Sequence, residues 1–193
     1  MSFSKNGFTL IELVVVIIIL AVLAVVAAPR FLTINEDARE AMLRGIAAEY
    51  QTAVNFSHQK WAIIGGSNQA LNNLPGYAGG ELDMNDVGFP LGIDKNEPMG
   101  RPYNIGQGNA GCVSLFDTLL DSSLTATNTA NQRDFHDFFT AREENFVIEA
   151  GGLAYSKCYY IYTKDGYRRN PSRAKHVIWY DSRTGDVSYI LNN

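Results

Sequence analysis

Gly7-Phe8-Thr9-Leu10-Ile11-Glu12-Leu13-Val14-Val15-Val16-Ile17-Ile18-Ile19-Leu20-Ala21-Val22-Leu23-Ala24-Val25-Val26-Ala27-Ala28 is the stretch whose reading decides the fold. Every side chain from Leu13 to Ala28 is apolar. With Phe8 to Ile11 the run reaches the roughly twenty residues that a helix rising about 1.5 Å per residue needs to cross a bilayer. One carboxylate, Glu12, stands inside it, and a polar head from Met1 to Asn6 carrying Lys5 precedes it. An ionised carboxylate in a spanning helix costs about 2–3 kcal/mol on insertion scales, and such groups usually have a partner.

A secretory signal peptide would end its apolar region sooner, at a small-residue cleavage site. The candidate site here, Val26-Ala27-Ala28, would place Pro29 directly after the cut, a poor backbone for a protease to bind extended. A plain signal anchor explains the length and the placement of Lys5 on the cytoplasmic side. It gives Glu12 no partner.

Gly7 to Leu13, Gly-Phe-Thr-Leu-Ile-Glu-Leu, resembles the processing motif of type IV prepilins and their pseudopilin relatives. The resemblance implies that a membrane-embedded prepilin peptidase cuts between Gly7 and Phe8, removes residues 1–7 as a leader and methylates the new Phe8 amine. It further implies that Glu12 of one subunit meets the N-terminal amine of its neighbour, so that two charges neutralise each other inside an apolar filament core. Residues 8–29 are then the transmembrane and assembly helix, and residues 30–193 a periplasmic head. The implied partners are membrane lipid before assembly, the peptidase, an inner-membrane assembly platform and other pilin subunits in an extracellular filament.

Pro29 removes one hydrogen bond and crowds the carbonyl four residues back, so a kink or local melting is expected there without the helix ending. The pilin resemblance gives Pro29 a role in assembly, as a place where the helix loosens when subunits pack. Beyond it, Met42, Ile46, Tyr50 and Val54, backed by Leu43, Ala47, Ala53 and Trp61, recur at spacings of three and four, which predicts an amphipathic helix over 30–61. Arg39, Glu40, Arg44, Glu49, Gln51 and Lys60 fill its other faces. Gly65-Gly66 is expected to stop it.

From Gly65 to Gly111 the chain is rich in glycine, proline, Asn and Asp, so 62–111 reads as a long structured loop with short strands near Arg101 to Ile105. Asp83, Asn85, Gly88 and Asp94 match part of a calcium-loop template, but Val87 and Pro90 interrupt it and an ordinary polar turn is the better reading. Val113 to Leu120 suits a short helix or a buried strand. Ser122 to Asn131 reads as a polar loop. Asn145–Ala150, Ala154–Thr163, Ala174–Tyr180 and Asp186–Leu191 read as strands, with Asp181 to Asp186 as a hairpin connection. The expected class is therefore α+β: a long N-terminal helix, its second half packed on a mostly antiparallel sheet of about four strands, as in the type IV pilin fold.

Cys112 and Cys158 fall in the part an anchor would place outside the cytoplasm, where oxidation is allowed, and a disulfide between them is expected. Two buried free thiols are the alternative. The formal charge of −4, made one unit more negative by loss of Lys5, gives no bulk signal for nucleic acid. No cofactor motif is present, and His58, His136 and His176 are scattered, with His136 and Asp137 adjacent on the chain but not facing one another. No enzyme is expected. Arg168, Arg169, Arg173 and Lys175 form a basic loop inside an acidic protein, either a solvated connection or a contact patch for an acidic partner.

Within the family, the length and the C-terminal cysteine pair most resemble a minor pilin of the mannose-sensitive haemagglutinin (MSHA) type. A type II secretion pseudopilin shares the N-terminus, and a membrane-anchored binding protein that never polymerises is a further reading.

Overall fold

The computed structural model describes residues 7–93, 95, 104–143, 148–149 and 153–192. The chain forms two compact units, one ending at Met42 and one beginning at Leu43. Helix α1 runs over Leu10–Ile63. In the first unit the helical backbone continues through Pro29, so no melted segment interrupts it. Every residue from Gly7 to Ala27 is exposed.

In the second unit α1 buries Leu43, Ile46, Ala47, Tyr50, Val54 and Trp61. These lie three, four or seven apart and so share one face. Met42, expected on that face, is 41% exposed, because Leu43 takes the inward position one residue later. Two of the residues assigned to solvated faces are packed instead. Gln51 donates its Nε2 to the Gly185 carbonyl at 2.9 Å and accepts the Val187 N–H on Oε1 at 2.7 Å, and the Arg44 guanidinium stands over the Tyr189 ring.

The helix stops where expected, and the hydrogen bonds show why. Gly65 (φ 88°) donates to the Ala62 carbonyl and Gly66 to the Trp61 carbonyl, the paired bonds of a Schellman ending. Gly65 adopts a φ that L side chains resist. A Cβ on Gly66 would overlap the Trp61 indole, which folds back over the turn.

Strands β1 (Leu82–Met84) and β2 (Pro90–Ile93) form an antiparallel hairpin. Helix α2 covers Asn109–Leu119. Then come β3 (Ala126–Thr127), β4 (Phe138–Arg142), β5 (Ile148–Glu149), β6 (Leu153–Ala154), β7 (Lys157–Tyr162), β8 (His176–Asp181) and β9 (Val187–Leu191). The main sheet has the order β3-β4-β7-β8-β9, antiparallel except for the parallel β3–β4 pair. Side chains alternate across it. Phe138, Cys158, Tyr160, Ile178 and Tyr180 join α1 and α2 in the main core, whereas Phe139, Ala141, Ile161 and Val177 form a second apolar cluster with Ala174.

The order of an N-terminal apolar helix, an amphipathic continuation and a C-terminal, largely antiparallel sheet is α+β and fits the type IV pilin fold. Four expectations need correcting. Among the described residues the main sheet has five strands where about four were expected: β4 is unanticipated, because its Phe138 to Ala141 are buried on both faces and show no alternation, and β3 lies inside the expected polar loop 122–131. Of the expected strand 145–150, only Ile148–Glu149 falls among the described residues, and it pairs with β6 outside the main sheet. Of the strand expected near 101–105, residues 101–103 lie outside the described residues, and Asn104 and Ile105 belong to no strand. The region's hairpin is β1–β2, where Pro90 opens a strand at a position that needs no donor. Val113 to Leu120 resolves as helix, with α2 beginning four residues earlier, at Asn109.

The polar turn at 83–95 is braced internally. Asp83 accepts the Asn73 N–H on one oxygen and the Lys95 N–H on the other, at 3.0 and 2.7 Å. Asn85 Oδ1 accepts the Val87 and Phe89 N–H groups while its Nδ2 donates to the Ser182 carbonyl. Asp94 lies outside the described residues.

Candidate assembly site and head surface

Gly7, Phe8 and Thr9 precede the first helical residue, Leu10, and are exposed. The Gly7–Phe8 bond is therefore in non-helical backbone that a protease can draw into an extended cleft. Among the described residues a Cβ on Gly7 would meet nothing within 4 Å.

Glu12 is placed by the helix start. Its Oε2 accepts the Thr9 N–H at 2.9 Å and the Thr9 hydroxyl at 2.8 Å, and its own N–H points at Thr9 Oγ1 at 3.4 Å. Thr9 is the residue before the helix and Glu12 its third position, the Thr-x-x-Glu capping box. Reading 7–13 only as a processing motif missed this. The sequence carries the signal, a Thr followed three residues later by Glu at the head of an apolar run. The carboxylate is thereby held at the helix entrance, about one turn from the Phe8 nitrogen. Leu10 to Ala27 is long and apolar enough to cross a membrane, and none of it is buried.

Cys112 on α2 and Cys158 on β7 form a disulfide with their Cα atoms 5.6 Å apart, both fully buried. It ties α2 to the centre of the sheet. Arg168, Arg169 and Arg173 are exposed on the loop between β7 and β8. Lys175 is engaged instead: Asp165 Oδ2 accepts from its Nζ at 3.0 Å and sits 3.1 Å from His176 Nε2. Asn192 donates to the carbonyls of Pro171 and Ala174. The loop is anchored at several points, so its arginines are presented on a fixed support. Arg133 joins them by stacking over Tyr167, which packs edge-on against Phe139.

The adjacent His136 and Asp137 do not act together. Asp137 Oδ2 accepts from the Thr125 N–H and hydroxyl at 2.9 and 3.2 Å. Among the described residues no group of three or more His, Cys, Asp or Glu is arranged to hold a metal ion.

Residues 2–28 match the family model for the prokaryotic N-terminal methylation motif. The match indicates a type IV prepilin-like protein, a pilin or pseudopilin, a class that is structural rather than catalytic. The motif implies processing by a prepilin peptidase and assembly with other pilin subunits, and with the apolar helix it fits membrane anchoring before assembly. No curated protein and no solved structure matches the chain.

Proposed function

We propose that this chain is a type IV pilus subunit, cut between Gly7 and Phe8, N-methylated on Phe8 and assembled through its N-terminal helix. The observation that carries the reading is the wholly exposed apolar helix with one carboxylate, Glu12, held at its entrance beside an accessible Gly7–Phe8 bond. Residues 1–7 are the leader, 8–29 the assembly helix and 30–193 the head. Before assembly the helix lies in the inner membrane and the head in the periplasm, where the assembly platform collects it. Extraction from lipid into a filament exchanges one apolar environment for another. The charge of Glu12 is then met by the Phe8 amine of a neighbour. Pro29 gives the helix a place to loosen as subunits pack.

Within that class we propose a minor pilin of an MSHA-like adhesive pilus, supported by the chain length and the cysteine pair in the C-terminal half. The test is intact-mass spectrometry of membrane and sheared-fibre fractions from the native host. The expected species begins at N-methyl-Phe8, carries an oxidised cysteine pair and appears in the fibre fraction in small proportion. A chain that keeps Met1 to Gly7 and stays in the membrane would refute the assembly reading. A processed chain absent from fibres, whose loss blocks protein secretion, would identify a pseudopilin instead.

A further inference from the structure

The face of the main sheet turned away from α1 carries Tyr159 on β7 and Trp179 on β8, paired in register across the strands. Their ring centroids are 5.4 Å apart with planes inclined at 56°, and both rings are half-buried. Beside them opens a cleft of about 420 Å³. Its rim brings together Arg142 at the end of β4, Arg169 and Ser172 from the β7–β8 loop, Asn109 at the start of α2 and Asn128 just after β3, with one carboxylate, Glu143, beside Arg142.

Glu143 apart, these side chains all carry hydrogen-bond donors. Asn109 Oδ1 already accepts the Arg142 N–H at 2.9 Å, and Asn128 Oδ1 accepts the Thr129 hydroxyl at 3.3 Å, so the carbonyl end of each amide is engaged and its Nδ2 end is the donor. The Arg142 guanidinium is fixed by donation to the Ile105 carbonyl at 2.6 Å. Arg169 is exposed. On the far side of Trp179 the balance turns acidic: a second depression of about 640 Å³ is lined by Asp181, Asp186 and Glu143, the last shared with the cleft, with Lys157 opposing them.

We propose that this cleft binds an acidic carbohydrate, a uronate-bearing oligosaccharide. The apolar C–H face of a pyranose fits against an aromatic ring, and two inclined rings offer a corner for successive sugars. A carboxylate on the sugar accepts from Arg169 and Arg142, planar donors suited to that group. The amides and Ser172 serve hydroxyls. The sign reversal across Trp179 selects the ligand class further. A polyanion charged at every unit, such as DNA, would have to cross the acidic depression, whereas a glycan with a carboxylate at one end and neutral sugars beyond it would not.

The test is isothermal titration of the full-length processed protein in detergent micelles with a galacturonate hexasaccharide and with neutral maltohexaose. Tryptophan fluorescence serves as a second readout, because the other tryptophan, Trp61, is buried on α1 away from this face. We expect saturable binding of the uronate oligomer with Kd below about 1 mM. Arg169→Ala should weaken it by about tenfold, and Arg168→Ala, on the same loop but off the cleft, by less than about twofold. Trp179→Ala should weaken it similarly, and Trp179→Phe should restore most of the binding if a ring face is what matters. Absence of uronate binding, equal binding of maltohexaose, or equal losses in R168A and R169A would each overturn the proposal. So would displacement of the uronate oligomer by duplex DNA at equal charge concentration.

Discussion

The Tyr50 hydroxyl on α1 lies 2.9 Å from the Tyr160 hydroxyl on β7, and Tyr160 donates onward to the Cys112 carbonyl on α2, also at 2.9 Å. Helix, sheet and disulfide-bearing segment thus meet through one buried hydrogen-bond relay. Because Tyr160 gives its proton to Cys112, Tyr50 must be the donor to Tyr160. The rings add an edge-on contact at 5.6 Å.

Removing the middle member should hurt more than removing the end. Tyr50→Phe deletes one donor and should cost about 0.5–1.5 kcal/mol; Tyr160→Phe strands the buried Tyr50 hydroxyl and takes from the Cys112 carbonyl the donor it has beyond its helical bond, and should cost about 1–3 kcal/mol. The double variant should lose less than the sum, since both changes break the same bond. Thermal unfolding of the detergent-solubilised chain would show it.

Alkali should unfold the head steeply. Burial pushes the phenols of Tyr50, Tyr160 and Tyr180 well above their ordinary value near 10. Below about pH 10 both folded and unfolded chains keep these protons and stability is unaffected. Above it the unfolded chain releases them while the folded chain holds them, so the unfolded state binds fewer protons and stability falls by about 1.4 kcal/mol per pH unit for each group. Absorbance at 295 nm should show these phenols ionising only together with loss of the folded signal, and Tyr180→Phe should make the decline shallower. Reversible ionisation of all ten tyrosines in a still-folded chain would contradict the burial.

Replacing both Cys112 and Cys158 by Ser should lower stability by about 4 kcal/mol, the chain-entropy value for a loop closed across 46 residues. Both cysteines are fully buried, so reductant should act on the native protein only at the rate at which it opens. Thiol trapping against time at two temperatures measures that rate.

Glu12 serves both a cap and a charge, and substitutions can separate them. Glu12→Gln keeps a side chain able to close the capping box but removes the charge; Thr9→Val removes the box and keeps the charge, costing about 1 kcal/mol in the first turn. If the Phe8 amine is Glu12's partner, E12A and E12Q chains should be processed and stay in the membrane yet be missing from fibres, while T9V chains still assemble. Normal recovery of E12Q subunits in sheared filaments would sink the charge-pairing account.

Gln51→Leu should cost about 1–3 kcal/mol, although a surface polar residue on a helix would ordinarily be replaced at little cost. It would leave the Gly185 carbonyl and the Val187 N–H without the amide that satisfies both. Hydrogen exchange at Val187 would report the loss locally.

Much of this was legible in the residues taken alone. The helix end at Gly65-Gly66, the buried spacing of Ile46, Tyr50 and Val54, and strands β7 to β9 all rest on local rules of turn chemistry and period. Where local rules were silent the reading failed. β4 is buried on both faces and has no alternation to detect, and β3 is a two-residue strand that exists only because β4 lies beside it.

The sequence by itself determined the character of the N-terminal helix, because a hydrophobic run of membrane length and a carboxylate five residues past Gly7 are properties of consecutive residues. It also determined the α+β order, since each period is written within its own segment. Only the tertiary structure decided which distant groups meet. Tyr50 with Tyr160, Gln51 with the β8–β9 turn, and the arginines with Tyr159 and Trp179 at the outer cleft are brought together by sheet register and helix packing. A one-residue change of register would send every one of those strand side chains to the opposite face.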